Sequence, residues 1–361
     1  GWWEVSQTAK VLVVDDSAFM RKVVSKILET SSKLEVINQA RNGVDALKKI
    51  EKETPDVITL DVEMPKMDGL EFLKRLMAKK TIPVVMLSSV TNKGSKETIK
   101  ALELGAFDFI AKPSGAISLD IDKVRDELIK KVELAAKSGV EKKIKKQMDR
   151  KSKDDQKKSI SQDIEPPQQS SSFSSKKTNL LIIGASTGGP KAIKEVMSSL
   201  PGDLGIAILI VQHMPPEFTK SLAKRLDKLS DYNVKEAEKG DKIKSGTALL
   251  APGDYHMLIR NDKVKLSQGE KIHNVRPAID KTIESVVTDY KNGIVGVLLT
   301  GMGKDGAKGM DLIKEFGGRT IAQDEETSVV YGMPKVANKM GAIDKICPIY
   351  KIAREITKLF T

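Results

Sequence analysis

Two doubly wound α/β domains joined by a tether are predicted for this chain, and three observations predict them. Short apolar runs alternate with amphipathic segments in both halves, and strand followed by helix, repeated, means a parallel sheet covered on both faces. Between the halves lies a stretch rich in Lys, Gln, Ser and Asp with few apolar anchors. The length of 361 residues exceeds one typical domain, and a hydrophobic content of 40% is enough for two cores.

In the first half, Val11-Leu-Val-Val14, Val57-Ile-Thr-Leu60, Val84-Val-Met-Leu87 and Phe107-Asp-Phe-Ile110 read as buried strands. Helical spacing covers 18–29, 43–51, 69–78, 95–104 and 120–136. Ligand sites of such sheets form beyond the carboxyl ends of the strands, and the unusual polar residues fall there. Asp15 and Asp16 follow the first run, Asp61 the second, Ser88 the third, and Lys112 precedes Pro113 after the last. Each aspartate by itself reads as a helix cap or turn former. Together, three carboxylates at one sheet edge call for a cation, and Mg²⁺ with oxygen ligands suits them. A carboxylate beside Mg²⁺ and a lysine is suited to accept a phosphoryl group, which makes Asp61 the expected phosphoacceptor.

Residues 9–136 resemble a two-component receiver domain, with its acidic pair, phosphorylatable Asp, Ser/Thr and Lys-Pro. The matching residues are Asp15-Asp16, Asp61 within Leu60-Asp-Val-Glu-Met-Pro-Lys-Met-Asp-Gly69, Ser88 and Lys112-Pro113. The resemblance implies a flavodoxin-like parallel sheet, Mg²⁺ on Asp16, Asp61 and the carbonyl of Glu63, and phosphorylation by a histidine kinase. It also implies that Phe109 reports the phosphorylation state.

The tether spans 137–177 and includes Lys142-Lys143-Ile144-Lys145-Lys146, Pro166-Pro167 and Ser170-Ser171-Ser172. It is expected to be a flexible linker. Much of the formal charge of +12 sits there, so the basic balance says little about nucleic acid. Gly1-Trp2-Trp3-Glu4 holds both tryptophans and stands outside the fold argument.

In the second half, Leu180-Leu-Ile-Ile183, Ile206-Ala-Ile-Leu-Ile-Val211, Thr247-Ala-Leu-Leu-Ala251, Ile294-Val-Gly-Val-Leu-Leu299 and Arg319-Thr-Ile-Ala322 read as strands. Residues 234–267 hold short strand-like pieces broken by glycines and Pro252, which predicts an antiparallel addition to the sheet. Reactive groups again stand at strand ends: Ser186 in Gly184-Ala-Ser-Thr-Gly-Gly-Pro190, His213 in Gln212-His-Met214, and Asp305 in Thr300-Gly-Met-Gly-Lys-Asp-Gly306. Serine needs a base near neutral pH, and the candidates are few, for the chain has only three histidines. His213 leaves a strand as Ser186 does, and a carboxylate in a Gly-rich loop is suited to orient its ring. Taken singly, the glycine turn also reads as a phosphate cradle, His213 as a structural histidine and Asp305 as a turn residue. The turn lacks both G-x-G-x-x-G spacing and the P-loop Lys-Ser/Thr pair, and the set fits acyl transfer better.

Residues 178–361 resemble the catalytic domain of the chemotaxis protein-glutamate methylesterases, the CheB family. The resemblance rests on the three motifs above with Ala251-Pro-Gly-Asp-Tyr-His-Met257 and Arg276-Pro-Ala-Ile-Asp280, and receiver, linker, esterase is that family's domain order. It implies a Rossmann-like sheet, Ser186 as nucleophile, His213 as base and acid, and Asp305 as orienting carboxylate. It further implies an oxyanion N–H from Met302 and a substrate site lined by Thr187 and Arg276. The segment His273-Asn-Val-Arg276 is displaced from the family's His-Arg-Pro pattern. His256 is expected at the rim or in a structural role.

The expected function is phosphorylation-activated hydrolysis of glutamate methyl esters on methyl-accepting chemotaxis receptors, with deamidation of particular glutamines. No cofactor is expected in the esterase half, nor any nucleic-acid partner, and the protein is expected to be a monomer. The alternative is a response regulator with a non-catalytic or DNA-binding output, which predicts a helix-turn-helix after the tether. The single Cys347 precludes an internal disulfide, and no run is long and apolar enough to span a bilayer. A cytoplasmic location is therefore expected.

Overall fold

The computed structural model of the protein describes residues 8–112, 124–138 and 179–361. The opening tryptophans, Pro113, the start of the 120–136 helix and nearly all of the 137–177 tether lie outside the described residues.

The first sheet has five parallel strands in the order β2-β1-β3-β4-β5. These are β1 (Ala9–Val14), β2 (Leu34–Ala40), β3 (Val57–Asp61), β4 (Val84–Ser88) and β5 (Asp108–Ala111). Helices α1 (Ala18–Leu28), α2 (Gly43–Lys52), α3 (Gly69–Lys79) and α4 (Asn92–Leu104) separate them, and α5 is described over 124–138. Ser17, Asn42, Asp68 and Thr91 cap α1 to α4 through their side-chain oxygens. β2 escaped the sequence reading: its burial is mixed, with Val36, Ile37 and Asn38 half-exposed and Glu35 and Gln39 exposed at the sheet edge, so it carries no apolar run. The strand order reverses between β1 and β3, and the crevice at that point receives Asp15, Asp16 and Asp61.

The second sheet has seven strands, all parallel, in the order β14-β13-β12-β6-β7-β9-β8. Its inner strands β6 (Leu180–Ala185), β7 (Ala207–Gln212) and β12 (Ile294–Leu298) are buried throughout. They are flanked by β9 (Thr247–Leu250) and β8 (Asn233–Glu236) on one side, and by β13 (Arg319–Gln323) and β14 (Lys345–Cys347) on the other. The antiparallel addition stands apart from this sheet as a two-stranded ribbon, β10 (His256–Arg260) and β11 (Lys263–Ser267). Helices α6 (Gly189–Met197), α7 (Phe218–Asp227), α8 (Ile279–Tyr290), α9 (Ala307–Glu315), α10 (Met333–Lys339) and α11 (Ile349–Phe360) cover the faces. Here the order reverses between β6 and β12.

The two domains meet through α4 and β5 on one side and α6 and α7 on the other. The Phe109 and Phe218 rings stand 4.5 Å apart. Arg225 forks onto Glu103, both bonds at 2.9 Å, and Ser95 meets Ser221 at 2.6 Å. Thr187, next to Ser186 in sequence, donates its hydroxyl to Asp108 Oδ2 at 2.8 Å.

Candidate active site

Parallel registration brings the first pair together. Ala185 of β6 is paired with Gln212 of β7, so the next residue on each strand, Ser186 and His213, leaves the sheet at the same level. The His213 N–H donates to Ala185 O, and the Gln212 side-chain amide donates to both Ser186 O (2.9 Å) and His213 O (3.2 Å). Gln212 is buried and thus pins both turns, a part that the sequence reading left unassigned.

The turn after Ser186 depends on Gly188, at φ +78°, from which α6 starts without a side-chain cap and with Pro190 in its first turn. The adjoining strand end, β12, leads through Thr300 to Gly301, and a Cβ at Gly301 would stand 2.7 Å from Ser186 Cβ. The Gly301–Gly303 loop therefore lies against the serine, with Met302 in its middle. The Ser186 N–H is committed to Thr300 O, so it is not free to serve an oxyanion.

His213 Nε2 lies 2.7 Å from Asp305 Oδ2. Asp305 also accepts the N–H of Ile279 at Oδ2 (2.6 Å) and of Asp280 at Oδ1 (3.1 Å). Burial raises the pKa of this carboxyl, but the His213 hydrogen bond and charge and the two amides outweigh it, leaving Asp305 below the ordinary carboxylate value. An ionised Asp305 holds the imidazole proton on Nε2. The other ring nitrogen, Nδ1, is buried and makes no hydrogen bond, so the bond to Ser186 is not formed in this arrangement.

Other expected residues are occupied differently. Thr187 is 4% exposed and spends its hydroxyl on Asp108. The Arg276 guanidinium is committed to Asp254 and to the carbonyls of Gln268 and Gly269, so it fastens the loop before α8. His256 is buried between Glu270 O and the Ala278 N–H, a structural position.

In the first domain, carboxylate oxygens of Asp15, Asp16 and Asp61 lie within 4.8 Å of one another. Lys112 Nζ bridges Asp15 (2.9 Å) and Asp61 (2.8 Å). Burial pushes Asp61 up to about 6 against the pull of Lys112, with the nearby Asp15 carboxylate adding to the rise. An all-oxygen donor set with surplus charge fits a hard divalent cation. Ser88 is turned toward α4, donating to Gly94 O and accepting from Thr98 Oγ1. Phe109 is buried against Phe218.

Comparison with known proteins gives the family of both domains. Residues 181–356 match the family model for the CheB methylesterase, and residues 11–121 match that for the response regulator receiver domain. A protein-glutamate methylesterase/protein-glutamine glutaminase of Symbiobacterium thermophilum is 46% identical over 98% of this chain and 98% of its own length. The protein of that name from Archaeoglobus fulgidus is 44% identical over 97% of each chain. The crystal structure of the Thermotoga maritima CheB methylesterase catalytic domain, at 46% identity, covers 51% of this chain and 99% of its own, with a TM-score of 0.49. Because the second half matches the methylesterase model and the full-length relatives carry the methylesterase/glutaminase name, a DNA-binding output is not favoured. With matches along nearly its whole length, the chain belongs to the protein-glutamate methylesterase/protein-glutamine glutaminase family, a CheB methylesterase domain behind a response regulator receiver domain.

Proposed function

We propose that Ser186 is the nucleophile with which this receiver-regulated methylesterase/glutaminase opens γ-glutamyl methyl esters on chemotaxis receptors, with His213 as base and Asp305 as its anchor. The observation that carries the reading is the asymmetric state of His213: one ring nitrogen bound to an ionised carboxylate, the other buried and unpartnered beside the Ser186 turn. His213 Nδ1 takes the Ser186 Oγ proton as the oxygen attacks the ester carbonyl carbon, and the imidazolium formed is stabilised by Asp305. Collapse of the tetrahedral adduct breaks the C–O bond, and the same proton leaves with methanol. Water, deprotonated by His213, then cleaves the acyl-enzyme to a glutamate carboxylate and restores Ser186. With a glutamine side chain ammonia leaves instead. The Met302 N–H, in the loop against Ser186, is the proposed oxyanion donor.

Asp61 is the proposed phosphoacceptor, with a histidine kinase as donor. Mg²⁺ would be held by Asp16, Asp61 and the Glu63 carbonyl, and it supplies neutralisation of the phosphoryl oxygens. Lys112 draws the carboxylates together, and Ser88 lies one strand away for contact with the phosphoryl group. Regulation is proposed to work by occlusion: the receiver seats Asp108 on Thr187 and Phe109 on Phe218, beside the nucleophile turn. Charge added at Asp61 shifts the population toward a separated arrangement.

The test is release of volatile methanol from receptors carrying labelled methyl esters, with and without a small phosphodonor and Mg²⁺. Release that rises with phosphodonor and vanishes in Ser186→Ala supports both assignments. Release that survives in Ser186→Ala rejects the nucleophile.

A further inference from the structure

Helices α8 and α9 both begin without a cap of their own. Ala278 and Gly306 precede them, and neither supplies a side-chain hydrogen bond to the first turn. A buried helix start with unsatisfied amides is costly, so partners must come from elsewhere. They come from each other. Asp305, just before α9, accepts the Ile279 and Asp280 N–H groups that open α8. Asp280, in the first turn of α8, accepts the Gly309 N–H in the first turn of α9 at 2.7 Å. Asp280 is 3% exposed, and its Oδ1 serves the neighbouring helix.

Building on the triad reading above, we infer that Asp280 is a positioning residue for the reaction: it and Asp305 form a reciprocal clamp, each carboxylate capping the other's helix, which holds Asp305 Oδ2 against His213 Nε2. Two further observations support it. A Cβ at Gly309 would stand 2.5 Å from Ile283 Cδ1 and 3.1 Å from Asp280 Oδ1, so the close approach of the two helix starts requires glycine there. On the outer side, Asp280 Oδ2 faces His273 Nε2 at 3.8 Å, beyond hydrogen-bond range, so the firm bond of Asp280 is the one to α9. Asp280 touches neither Ser186 nor His213 through any hydrogen bond; it acts through Asp305.

The experiment compares Asp280→Ala and Asp280→Asn in the full-length protein, with phosphodonor and Mg²⁺, on methyl-labelled receptors. Asparagine keeps an oxygen for the Gly309 N–H and alanine does not. The expected result is a fall in kcat of at least about tenfold for Asp280→Ala with KM within about twofold, and recovery of most of the rate in Asp280→Asn. In parallel, NMR of the His213 ring follows the Nε2 proton shared with Asp305, which should exchange faster or disappear in Asp280→Ala and persist in Asp280→Asn. A folded Asp280→Ala protein with unchanged kcat and ring signal overturns the clamp, as does an Asp280→Asn protein as damaged as the alanine variant. If the alanine variant does not fold, Asp280→Asn decides alone: loss of rate and of the ring proton overturns the clamp, and their retention supports it. Ser186→Ala and Asp305→Ala run beside them. If those two retain methanol release, the triad reading fails while the ring proton still reports on the clamp; if they lose it and Asp280→Ala does not, only the clamp fails.

Discussion

At the level of single residues, the proposed pair of Ser186 and His213 would do little apart and much together. The hydroxyl is a poor nucleophile by itself, and the imidazole gains direction only because Asp305 is ionised and bound to Nε2. Ser186→Ala should lower turnover by about 10⁴-fold or more with folding intact, measured as methanol release beside a thermal melt. Asp280 brings a pH dependence of its own. Burial first, then the facing Asp305 carboxylate, pushes it up to about 7, while the amides of Gly309 and Gly306 pull the other way and His273 lies at its outer edge. Because the folded value exceeds the ordinary 3.8, the native state holds a proton that the unfolded chain has released. Stability from this group is therefore fully present below about pH 4 and is lost as pH rises to about 7, at no more than about 1.4 kcal/mol per pH unit. Asp280→Asn should remove that slope, so denaturant melts at pH 5 and pH 8 should differ less in the variant than in the parent chain.

Between elements, the contacts that matter most join α4 to α7. The Glu103–Arg225 fork has good bidentate geometry, but Arg225 is only half-buried, with its side chain 38% exposed, so the pair is worth about 1 kcal/mol. Arg225→Ala should raise unphosphorylated esterase activity a few-fold, roughly what that energy allows, and leave the phosphorylated rate nearly unchanged. Equal activity in both states would assign the pair to surface packing alone. Phe218→Ala removes the aromatic partner of Phe109 and should act in the same direction more strongly, with some loss of stability because Phe218 is fully buried.

For the molecule as a whole, two sheets of the same winding place their candidate reactive residues at equivalent points, each where strand order reverses. The receiver packs α4 against α6 and α7, and Asp108 of β5 accepts a hydrogen bond from Thr187, next to Ser186 in sequence. Removing residues 1–137 should raise basal esterase activity. Unchanged or lower activity in a fragment with a cooperative melt would count against occlusion.

Much was legible in the sequence because it is written in local patterns. Apolar runs ending in Ser186, His213, Asp15-Asp16 and Asp61 state both where a strand stops and what it presents. β2 and β14 were not legible, since edge strands bury only part of their length and carry no continuous apolar signal. Nor was the pairing of β10 with β11 outside the main sheet, because a strand pattern does not name its partner. The family resemblance implies a substrate site lined by Arg276 and Thr187, and the bonds of Arg276 to Asp254 and of Thr187 to Asp108 are visible only in the fold. Sequence by itself determined the two α/β domains and which polar side chains stand at their strand ends, because strand ends and glycine turns are local facts. Only the tertiary structure decided which ring nitrogen of His213 faces Asp305, that Asp280 caps α9, and that the receiver meets the nucleophile turn. Those depend on register and packing between segments distant in the chain, which no local pattern specifies.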